Sequence, residues 1–556
     1  MILESQKTIQ NWNRCGAWGN RTFIELFKSH ASKNADNVCL VDPPNKESLI
    51  GIKPERKTYR DVERAIDATA EALVERGIKK DDIIVLQLPN CWELAMLYLA
   101  ISRAGGISSP VPMQWQDSEL EYICGLTSAK AIITVDSFRH YDCKALAERI
   151  RKKHPTIEQI ITLQEIREMA VGDIKGICDH ISLSANDVFT ICWSSGTEAK
   201  PKGCPLSHNN WMYKSELAYE TIPIQPGFNL ITAGPMVNMA SIGTVYIAWI
   251  RGGGKLVLHH PFDGDIFTQQ IVEEKVQYTL LVPAVVNMIL QQTARHQYDL
   301  SEMKVFAMGA APPSIWAVEE LRNRWGIEFV HMWGQNEGTG LVSGPADLPD
   351  FRMRFDHFPY AREGSRWSRG IRRHTSLKIV DPVTGQEVKE IGGIGELYYK
   401  SPSVIPCYFK MPDLTRKAFD EEGYFRTGDL FQLKDNDCIG FFERTRDIII
   451  RGGFNISAQE IENLLIGHPA ITDAAAIPMP DERVGERVCL YVVPRDPQLI
   501  PVNLDLITSF MKKRGIAVYK LPERLEIIER IPRNATGKIL RHVLKEDFQN
   551  RMMQSH

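Results

Sequence analysis

The stretch VFTICWSSGTEAKPKGCPLSHNN, residues 188–210, joins an apolar run to a loop of small and hydroxylated residues and then to a helix-like segment. Glycines let backbone N–H groups converge on an anion, hydroxyl groups add short hydrogen bonds, and a lysine supplies positive charge. The loop at 194–203, which contains Lys202, therefore predicts a phosphate-binding site. It lacks the GxxxxGK[ST] spacing, and the same residue types also form ordinary surface turns.

On both sides of this loop, short β-rich apolar runs alternate with helical patterns. IIVLQL (83–88) precedes the helix-like CWELAMLYLAISRAG (91–105), and AIITV (131–135) precedes KALAERIRKK (144–153). The segment 59–77 is rich in Ala, Glu and Arg and ends at a glycine, as a helix often does. Such alternation is typical of parallel sheets covered by helices, so the sequence predicts an α/β fold.

The size and charge of the chain narrow its class. With 556 residues it exceeds one ordinary core, and its 44% hydrophobic and 24% charged residues are typical of a globular protein. A formal net charge of -3 gives no electrostatic reason to expect nucleic acid or an anionic membrane as a partner. We therefore expect a large enzyme acting on small molecules.

Other features favour a cytoplasmic protein. The eleven cysteines form no CxxC pair, which argues against a disulfide framework or a zinc cluster. The N-terminal residues show no signal- or transit-peptide pattern. The uncharged stretch 221–250 is long enough to span a bilayer, but prolines and glycines interrupt it, so we interpret it as buried core and pocket wall rather than as an integral membrane segment.

Four further motifs contain residues suited to nucleotide chemistry. In HMWGQNEGTG (331–340), a glutamate could hold Mg2+ beside a nucleotide whose base packs on the aromatic residue. GYFRTGDL (423–430) and ERTRDIIIRGGFNISAQEIE (443–462) contain an aspartate and an arginine that could hold a ribose diol. RIPRNATGKILRHVLKE (530–546) has a lysine after a glycine. Taken singly, each is as well explained by a surface ion pair or a solvated lysine.

Two segments predict other features of the organisation. Residues 444–453 pass from charged, turn-like residues into an apolar strand, which predicts a joint before a small second domain. Residues 351–374 carry seven arginines against two acids, which predicts an exposed loop, with a phosphate contact as the alternative.

In this order and at these spacings, the motifs resemble the adenylate-forming superfamily, which includes acyl- and aryl-CoA synthetases, firefly luciferases and the adenylation domains of peptide synthetases. The resemblance runs from LVDPPN (40–45) to ATGKILR (535–541). It implies a large N-terminal domain of β-sheets flanked by helices, residues 1–444, and a small mobile C-terminal α+β domain, residues 445–556. Arg446 matches the hinge.

The resemblance also implies the nucleotide site, position by position. In the family, the residues of this site contact phosphate, adenine, ribose or the pantetheine of CoA. The matching positions in this chain are Ser194, Ser195, Gly196, Thr197, Lys202, Gly309, Ala310, Ala311, Pro312, Trp333, Asn336, Asp429, Arg444 and Gly453. The catalytic positions match Thr197 in the phosphate loop, Glu337 as the Mg2+ ligand, and Lys538 as the lysine that bridges the carboxylate and the α-phosphate. The wall of the acid pocket matches Asn238, Met239, Ala240 and Gly243, and we expect its small residues to leave room for the acid.

The chain departs from the family pattern at several of these positions. Glu198 and Ala199 replace the usual threonine and glycine of the phosphate loop. A carboxylate beside polyphosphate must point away, pair with a lysine such as Lys200, or help to hold Mg2+. Asn336 stands where a threonine normally contacts the α-phosphate, and Asn238 where many members have a histidine.

The resemblance implies an AMP-forming acyl-CoA synthetase that uses ATP, Mg2+ and coenzyme A and has a place in fatty acid metabolism. One alternative is a stand-alone adenylation enzyme that loads a carrier protein; another is a non-catalytic nucleotide-binding homologue, which the retained Glu337, Asp429 and Lys538 argue against. We expect a medium-chain, branched or alicyclic acid, with an aromatic acid also open. A second copy of the chain remains open as a partner.

Overall fold

A computed structural model describes most of the chain. The described residues are 1–194, 200–232, 234–309, 315–444, 448–451, 454–481, 485–496, 501–514, 516, 518–533 and 539–554. They form two compact units, Met1–Leu377 with Tyr399–Phe425, and Lys378–Tyr398 with Arg426–His556. The hinge position Arg446 lies outside the described residues, so the domain boundary at 444 stays a prediction.

Helices and strands alternate along the chain. The helices are α1 (Gln6–Arg14), α2 (Phe23–Asn34), α3 (Lys46–Ile50), α4 (Tyr59–Glu75), α5 (Trp92–Arg103), α6 (Asp117–Thr127), α7 (Cys143–Lys153), α8 (Leu163–Met169), α9 (His208–Thr221), α10 (Met239–Ser241), α11 (Ile247–Gly252), α12 (Gly264–Glu273), α13 (Pro283–His296), α14 (Ile315–Trp325), α15 (Pro412–Ala418), α16 (Ala458–Leu464), α17 (Leu504–Lys513) and α18 (Arg541–Gln554). The strands of the first unit begin with β1 (Val38–Val41), β2 (Arg56–Thr58), β3 (Ile83–Gln87), β4 (Ile107–Pro110), β5 (Ala131–Thr134), β6 (Ser137–Phe138), β7 (Tyr141–Asp142), β8 (Gln159–Thr162), β9 (Val188–Trp193), β10 (Gly203–Ser207), β11 (Leu230–Thr232), β12 (Leu256–Leu258), β13 (Tyr278–Leu281), β14 (Val305–Met308), β15 (Glu328–Gly334), β16 (Gly340–Ser343) and β17 (Phe358–Pro359). The strands that follow are β18 (Ser376–Val380), β19 (Ile394–Lys400), β20 (Phe425–Lys434), β21 (Cys438–Arg444), β22 (Ile448–Arg451), β23 (Phe454–Ser457), β24 (Ile471–Asp481), β25 (Gly485–Pro494) and β26 (Arg524–Ile527).

Two mostly parallel sheets form the frame of the first unit. One has the strand order β16-β15-β14-β13-β11-β12-β1-β2 and the other β10-β9-β4-β3-β5-β8. Strands β3, β4, β5 and β8 pair in parallel, as do β11 to β15 where they are neighbours. The predicted runs at 83–88 and 131–135 are β3 and β5, so the alternating pattern identified the α/β fold correctly.

The helices are held by the features that their sequences predict. Helix α4 begins at a capping box of Thr58 and Asp61, and its chain turns away at Gly77, whose φ is 91°. Helix α5 buries every residue from Trp92 to Ser102, which explains why its sequence is apolar on all sides. Phe267, Ile289 and Phe306 lie fully buried in the core that covers the eight-stranded sheet.

The second unit has its own sheets. Strands β21, β20, β19 and β18 are neighbours in that order, and β20 and β21 pair antiparallel. A further sheet has the order β23-β22-β25-β24, with β26 parallel to β25. Ile449, Leu490 and Ile507 are fully buried in a core of this unit. The α+β character predicted for the C-terminal region agrees with this arrangement.

The structure corrects one expectation and confirms another. The arginine-rich segment 351–374 is not simply an exposed loop, because Arg354 is buried and donates to the carboxylate of Glu328 at 2.7 Å and to the carbonyl oxygen of Phe329 at 2.8 Å. The stretch 221–250 is divided among a strand, two short helices and a π-helix, Ile242–Tyr246, and is largely buried. Among the described residues, no helix is long and apolar enough to cross a membrane.

A buried cluster of charges holds the N-terminal part of the first unit. The ammonium of Lys46 donates to Asp42 at 2.7 Å and to both carboxylate oxygens of Glu93, and Arg167 donates to Glu93 at 2.8 Å. Lys46 is 1% exposed and Glu93 fully buried. Burial, followed by the neighbouring charge of Glu93, raises the pKa of Asp42 to about 6. The stability of each buried charge in this cluster therefore depends on the opposite charges beside it.

Replacing Lys46 by Met should lower the free energy of unfolding of this unit by about 3–5 kcal/mol, because two buried carboxylates lose their shared cation. Chemical denaturation followed by tryptophan fluorescence measures the change. Lys57→Met is the matched control: Lys57 pairs with Glu55 nearer the surface, and its loss should cost less than about 1 kcal/mol. Equal stability of the two variants would contradict the role given to Lys46.

Candidate active site

The ends of the predicted phosphate loop are held together by a β-hairpin. Strands β9 and β10 pair antiparallel, with Trp193 opposite Gly203. The backbone N–H of Ser194 donates to the carbonyl oxygen of Lys202 at 3.0 Å, and the N–H of Lys202 donates to the hydroxyl of Ser194 at 3.2 Å. The positions predicted to contact phosphate at Ser195, Gly196 and Thr197 lie outside the described residues and stay predictions, as does Glu198.

One feature of this loop differs from the expectation. The sequence predicts that the loop runs directly into a helix, whereas β10 intervenes before α9. The N-terminus of α9 is capped by its own Ser207 and Asn210 side chains. The extra strand forms because Gly203–Ser207 is apolar enough to be buried throughout and pairs with β9. The N–H groups that could hold phosphate are therefore those of the loop, not those of the helix.

Glu337 lies in the turn between β15 and β16 and is buried, with 8% of its surface exposed. Its carboxylate accepts a hydrogen bond of 2.8 Å from the hydroxyl of Tyr408, and its carbonyl oxygen accepts one of 3.0 Å from the N–H of Ile405. Burial, and then the charge of Glu337, raises the pKa of Tyr408 far above its usual range. Tyr408 is therefore a permanent donor that orients the carboxylate.

The carboxylate of Glu337 suits a hard cation. It accepts a hydrogen bond from the neutral phenol of Tyr408, and no lysine or arginine in the described part of the chain forms an ion pair with it. A buried carboxylate without a cation is costly, so the site is suited to a metal ion. Mg2+ commonly takes one or two protein carboxylates and fills its other positions with phosphate oxygens and water.

Tyr408 also connects Glu337 to the phosphate loop. The ammonium of Lys202 lies 5.4 Å from the centroid of the Tyr408 ring, and the N–H of the next residue, Phe409, donates to the carbonyl oxygen of Gly203 at 2.9 Å. The predicted metal ligand and the predicted phosphate-binding lysine therefore contact the same aromatic ring. Two motifs that are far apart in sequence form one site.

Gly338 allows the tight turn that carries Glu337. Its φ is 90°, in the region that favours glycine, and its N–H donates to the carbonyl oxygen of Gln335 at 3.2 Å. A Cβ at this position would overlap the carbonyl oxygen of Ser403. The turn therefore requires glycine both for its conformation and for the close approach of the neighbouring chain.

Asn336 joins this turn to the predicted acid pocket. Its amide Nδ2 donates to the carbonyl oxygen of Trp193 at 2.8 Å, and its Oδ1 accepts from the N–H of Met239 at 2.8 Å. An amide has two donor hydrogens, so one remains for a phosphate oxygen. A threonine could not span both partners in this way, since it is shorter. The residue that departs from the family pattern is therefore a connector between three segments of the site.

Asn336→Leu keeps the volume of the side chain but removes both hydrogen bonds. Each buried hydrogen bond contributes about 1 kcal/mol, so we expect kcat/KM for the acid to fall at least about tenfold. Pyrophosphate exchange at varied acid concentration measures this effect. A variant that kept the kinetic constants of the parent protein would show that the connection to Met239 does not shape the pocket.

The predicted wall of the acid pocket lies in a helical segment whose middle part is a π-helix. Asn238 caps α10 by accepting from the N–H of Ser241 at 3.3 Å, and the chain continues as the π-helix Ile242–Tyr246. π-Helical turns are rare and occur frequently at functional sites. Met239 is buried, Asn238 is half-buried and Ala240 is exposed. The wall thus presents both polar and apolar surface.

Gly243 does not leave room for substrate in the direction of its missing side chain. A Cβ there would lie 2.9 Å from the ring of Trp211 and 3.1 Å from the sulfur of Met239. The glycine instead lets Trp211 of α9 pack closely against the π-helix. The expectation that this small residue opens the pocket is therefore wrong, because a large residue from another helix fills the space.

Two predicted adenine contacts come from neighbouring parallel strands. Gly309 follows β14, and its N–H donates to the carbonyl oxygen of Leu281 at 3.2 Å; Trp333 lies near the end of β15 and is half-buried. Strands β14 and β15 pair in parallel, so their carboxyl ends meet at one edge of the sheet, where open α/β sheets commonly bind ligands. The expected adenine contacts at Ala310, Ala311 and Pro312 lie outside the described residues.

In the second unit, the sheet brings the predicted ribose-binding residues together. Asp429 on β20 is directly opposite Arg444 on β21. Asp429 is 2% exposed, and its N–H donates to the hydroxyl of Thr427 at 3.2 Å. The side chain of Arg444 is not described, and Gly453 and Lys538 lie outside the described residues, so their roles remain predictions.

Sequence reasoning missed Tyr408 as a residue of the site, and it did not identify Lys214 as a buried residue. Tyr408 stands in the apolar run IPCYFK, and no local pattern connects it to Glu337. Lys214 is a lysine within the helical pattern WMYKSELAYE and resembles an ordinary surface residue there.

The fold and these residues define an α/β protein whose candidate site for an anionic, metal-binding ligand includes the carboxyl ends of parallel strands. The chain belongs to the AMP-binding enzyme family, whose family model matches residues 27–409, and the model of the C-terminal domain of these enzymes matches residues 460–538. This match confirms both the adenylate-forming superfamily and the fold predicted from its motifs.

Similar proteins include some that are named CoA ligases and some that are named AMP ligases. The chain is 27% identical over 549 residues to 2,3-dihydroxybenzoate-AMP ligase of Bacillus subtilis, covering 98% of this chain and 97% of that protein. It is 28% identical over 554 residues to medium-chain fatty-acid–CoA ligase of Escherichia coli, covering 97% and 92%. ATP-bound MatB from Rhodopseudomonas palustris matches with a TM-score of 0.79 at 24% identity, covering 95% of this chain and 99% of that one, which supports the fold.

Proposed function

We propose that this protein activates a carboxylic acid with ATP and transfers the acyl group to coenzyme A, giving acyl-CoA, AMP and pyrophosphate. The observation that carries the proposal is the joint contact of Tyr408 with Glu337 and Lys202. It unites a carboxylate suited to Mg2+ with a lysine suited to phosphate. The relatives that are named CoA ligases support the second half of the reaction.

The barrier to adenylation is largely electrostatic. A carboxylate oxygen attacks the α-phosphorus, a new P–O bond forms, and the bond to pyrophosphate breaks, all among negative groups. Lys202 and the loop N–H groups would offset the charge on the phosphates, and Asn336 can donate its remaining amide hydrogen. Mg2+ held by Glu337 would supply further positive charge against the polyphosphate.

The proposal assigns the two half-reactions to different residues of the C-terminal part. Lys538 bridges the carboxylate and the α-phosphate during adenylation, and Gly453 lines the passage for pantetheine. A thiol attack on the mixed anhydride then forms the thioester and releases AMP. Movement about Arg446 would let each set act in turn, since both serve one face of the site.

A second candidate is an enzyme that loads its adenylate onto a carrier protein. The similarity to 2,3-dihydroxybenzoate-AMP ligase favours it, since that relative is named for the adenylate and not for CoA. The names of the relatives do not select one class of acid, since they include both aromatic acids and a medium-chain fatty acid. Cytoplasmic location, self-association and a place in fatty acid metabolism stay predictions.

The test is a panel of aliphatic, alicyclic and aromatic acids assayed with ATP and Mg2+, with and without CoA. Acid-dependent pyrophosphate exchange is expected in the absence of CoA, and AMP release with thioester formation in its presence. Exchange without any acid-dependent use of CoA would favour the carrier-protein candidate. A protein that bound ATP but exchanged no pyrophosphate with any acid would refute both enzymatic functions.

A further inference from the structure

Helix α9 carries a buried lysine that the proposed reaction does not use. Lys214 is 5% exposed, and its ammonium donates one hydrogen bond of 3.1 Å to the carbonyl oxygen of Thr339. No carboxylate of the described residues forms an ion pair or a hydrogen bond with it. An ammonium group has three donor hydrogens, so two remain for another partner.

Lys214 lies between the acid-pocket wall and the nucleotide segment. On the same helix, Trp211 packs against Gly243 of the wall. One turn further on, the ammonium of Lys214 lies beside Gly340 and is within 4 Å of the position of a Cβ at Gly334. Gly334 directly follows Trp333, and Gly340 begins the strand after Glu337. The lysine therefore lies beside the segments to which the family resemblance assigns the acid pocket and the nucleotide site.

The two glycines make space for the ammonium. A Cβ at Gly340 would overlap the nitrogen of Lys214, so a larger residue at that position would displace it. Tyr399 fixes this strand by donating to the carbonyl oxygen of Gly340 at 2.8 Å. The ammonium thus occupies a built position between α9 and the β15–β16 hairpin and is not a surface side chain folded inward.

A comparison within the same unit shows how unusual Lys214 is. Lys46 is equally buried, but Glu93 and Asp42 outweigh the effect of burial and raise its pKa. Among the residues that the structure describes, Lys214 has no such partner, and burial lowers its pKa to about 7. A buried amine without a counter-charge is costly, and a methionine of similar length would pack there without that cost. Retention of the lysine therefore points to a ligand that supplies the missing partner.

We propose that Lys214 is a specificity-determining residue, and that the acid substrate carries a second, hydrogen-bond-accepting oxygen that binds its ammonium. This inference rests on the proposed function. Such an acid would be a hydroxy-, oxo- or dicarboxylic acid rather than an unsubstituted alkyl or aryl acid. The second oxygen accepts one or both of the free donor hydrogens, and it acts as the partner that the described residues do not provide.

The experiment compares matched pairs of acids: benzoate with 2-hydroxy- and 3-hydroxybenzoate, cyclohexanecarboxylate with 4-oxocyclohexanecarboxylate, and octanoate with suberate. Pyrophosphate exchange gives kcat/KM for each acid with the parent protein and with Lys214→Met. In at least one series we expect the oxygen-bearing acid to be favoured about tenfold or more. Lys214→Met should abolish that preference, because the oxygen-bearing acid loses its partner and the unsubstituted acid no longer leaves a buried donor unpaired.

Two further variants keep the result unambiguous. Lys214→Gln retains a donor without the charge and should keep part of the preference, most clearly for uncharged acceptors. Lys33→Met, at an exposed position on α2, should change neither selectivity nor the thermal midpoint. Removing an unpaired buried cation should leave the midpoint of Lys214→Met equal to or above that of the parent protein.

If the parent protein catalysed pyrophosphate exchange but preferred the unsubstituted acid in every series, the inference would be overturned and the proposed function would stand. So would an oxygen-dependent preference that both Lys214 variants retain. If both variants failed to fold while Lys33→Met folded, Lys214 would be a structural residue and the inference would be wrong. Absence of exchange with every acid would instead refute the proposed function, and this inference with it.

Discussion

Glu337→Gln should reduce acid-dependent adenylation by about a thousandfold or more at limiting Mg2+. The substitution preserves the size of the side chain and its hydrogen bond with Tyr408, but it removes the negative charge that a hard cation requires. Pyrophosphate exchange over a range of Mg2+ concentrations measures the effect. The Mg2+ concentration for half-maximal rate should rise together with the loss of rate.

Two controls separate charge from geometry. Tyr408→Phe removes the hydrogen bond to Glu337 but leaves the carboxylate, so its effect should be much smaller, about tenfold, as expected for the loss of one hydrogen bond to a charged group. Glu320→Gln changes an acid on α14 whose partner is the nearby Arg324, and it should be neutral. An unchanged rate for Glu337→Gln at limiting Mg2+ would remove Glu337 from the metal site.

Lys538→Ala should lower acyl-adenylate formation by about three powers of ten. The lysine is assigned by its match to the ATGK segment, and it would bridge the attacking carboxylate and the α-phosphate, so its loss removes a principal electrostatic stabiliser of the transition state. The same variant should still transfer an acyl group from supplied synthetic adenylate to CoA. Pyrophosphate exchange measures the first step, and thioester formation measures the second.

The matched control is Lys545→Ala, a lysine on α18 seven residues further along the chain. Its loss should affect neither step by more than about twofold, because a partly exposed lysine has little effect on a distant site. If Lys538→Ala lost both half-reactions equally while remaining folded, the division of labour between the two steps would be incorrect for this protein.

The local sequence specified most of the frame. Runs such as those at 83–88 and 131–135 became parallel strands, and the segment from Tyr59 became a capped helix, because hydrophobic periodicity and capping residues act over a few neighbouring positions. The order of the motifs also sufficed for the superfamily. The short strand β10 was not recognised, because five residues that are buried only through pairing with β9 have no distinctive pattern of their own.

Sequence also determined which chemical groups are present, including Glu337, Asp429 and Lys202 in motifs suited to a metal ion, a ribose and phosphate. Tertiary structure decided how they act. It placed Tyr408 against both Glu337 and Lys202, filled the space beside Gly243 with Trp211, and buried Lys214 with no counter-charge among the described residues. These outcomes depend on contacts between segments distant in the chain, whose distances and desolvation arise only when the elements pack. Residue type and spacing predict the reaction class, whereas the partner of a buried charge is determined by the fold.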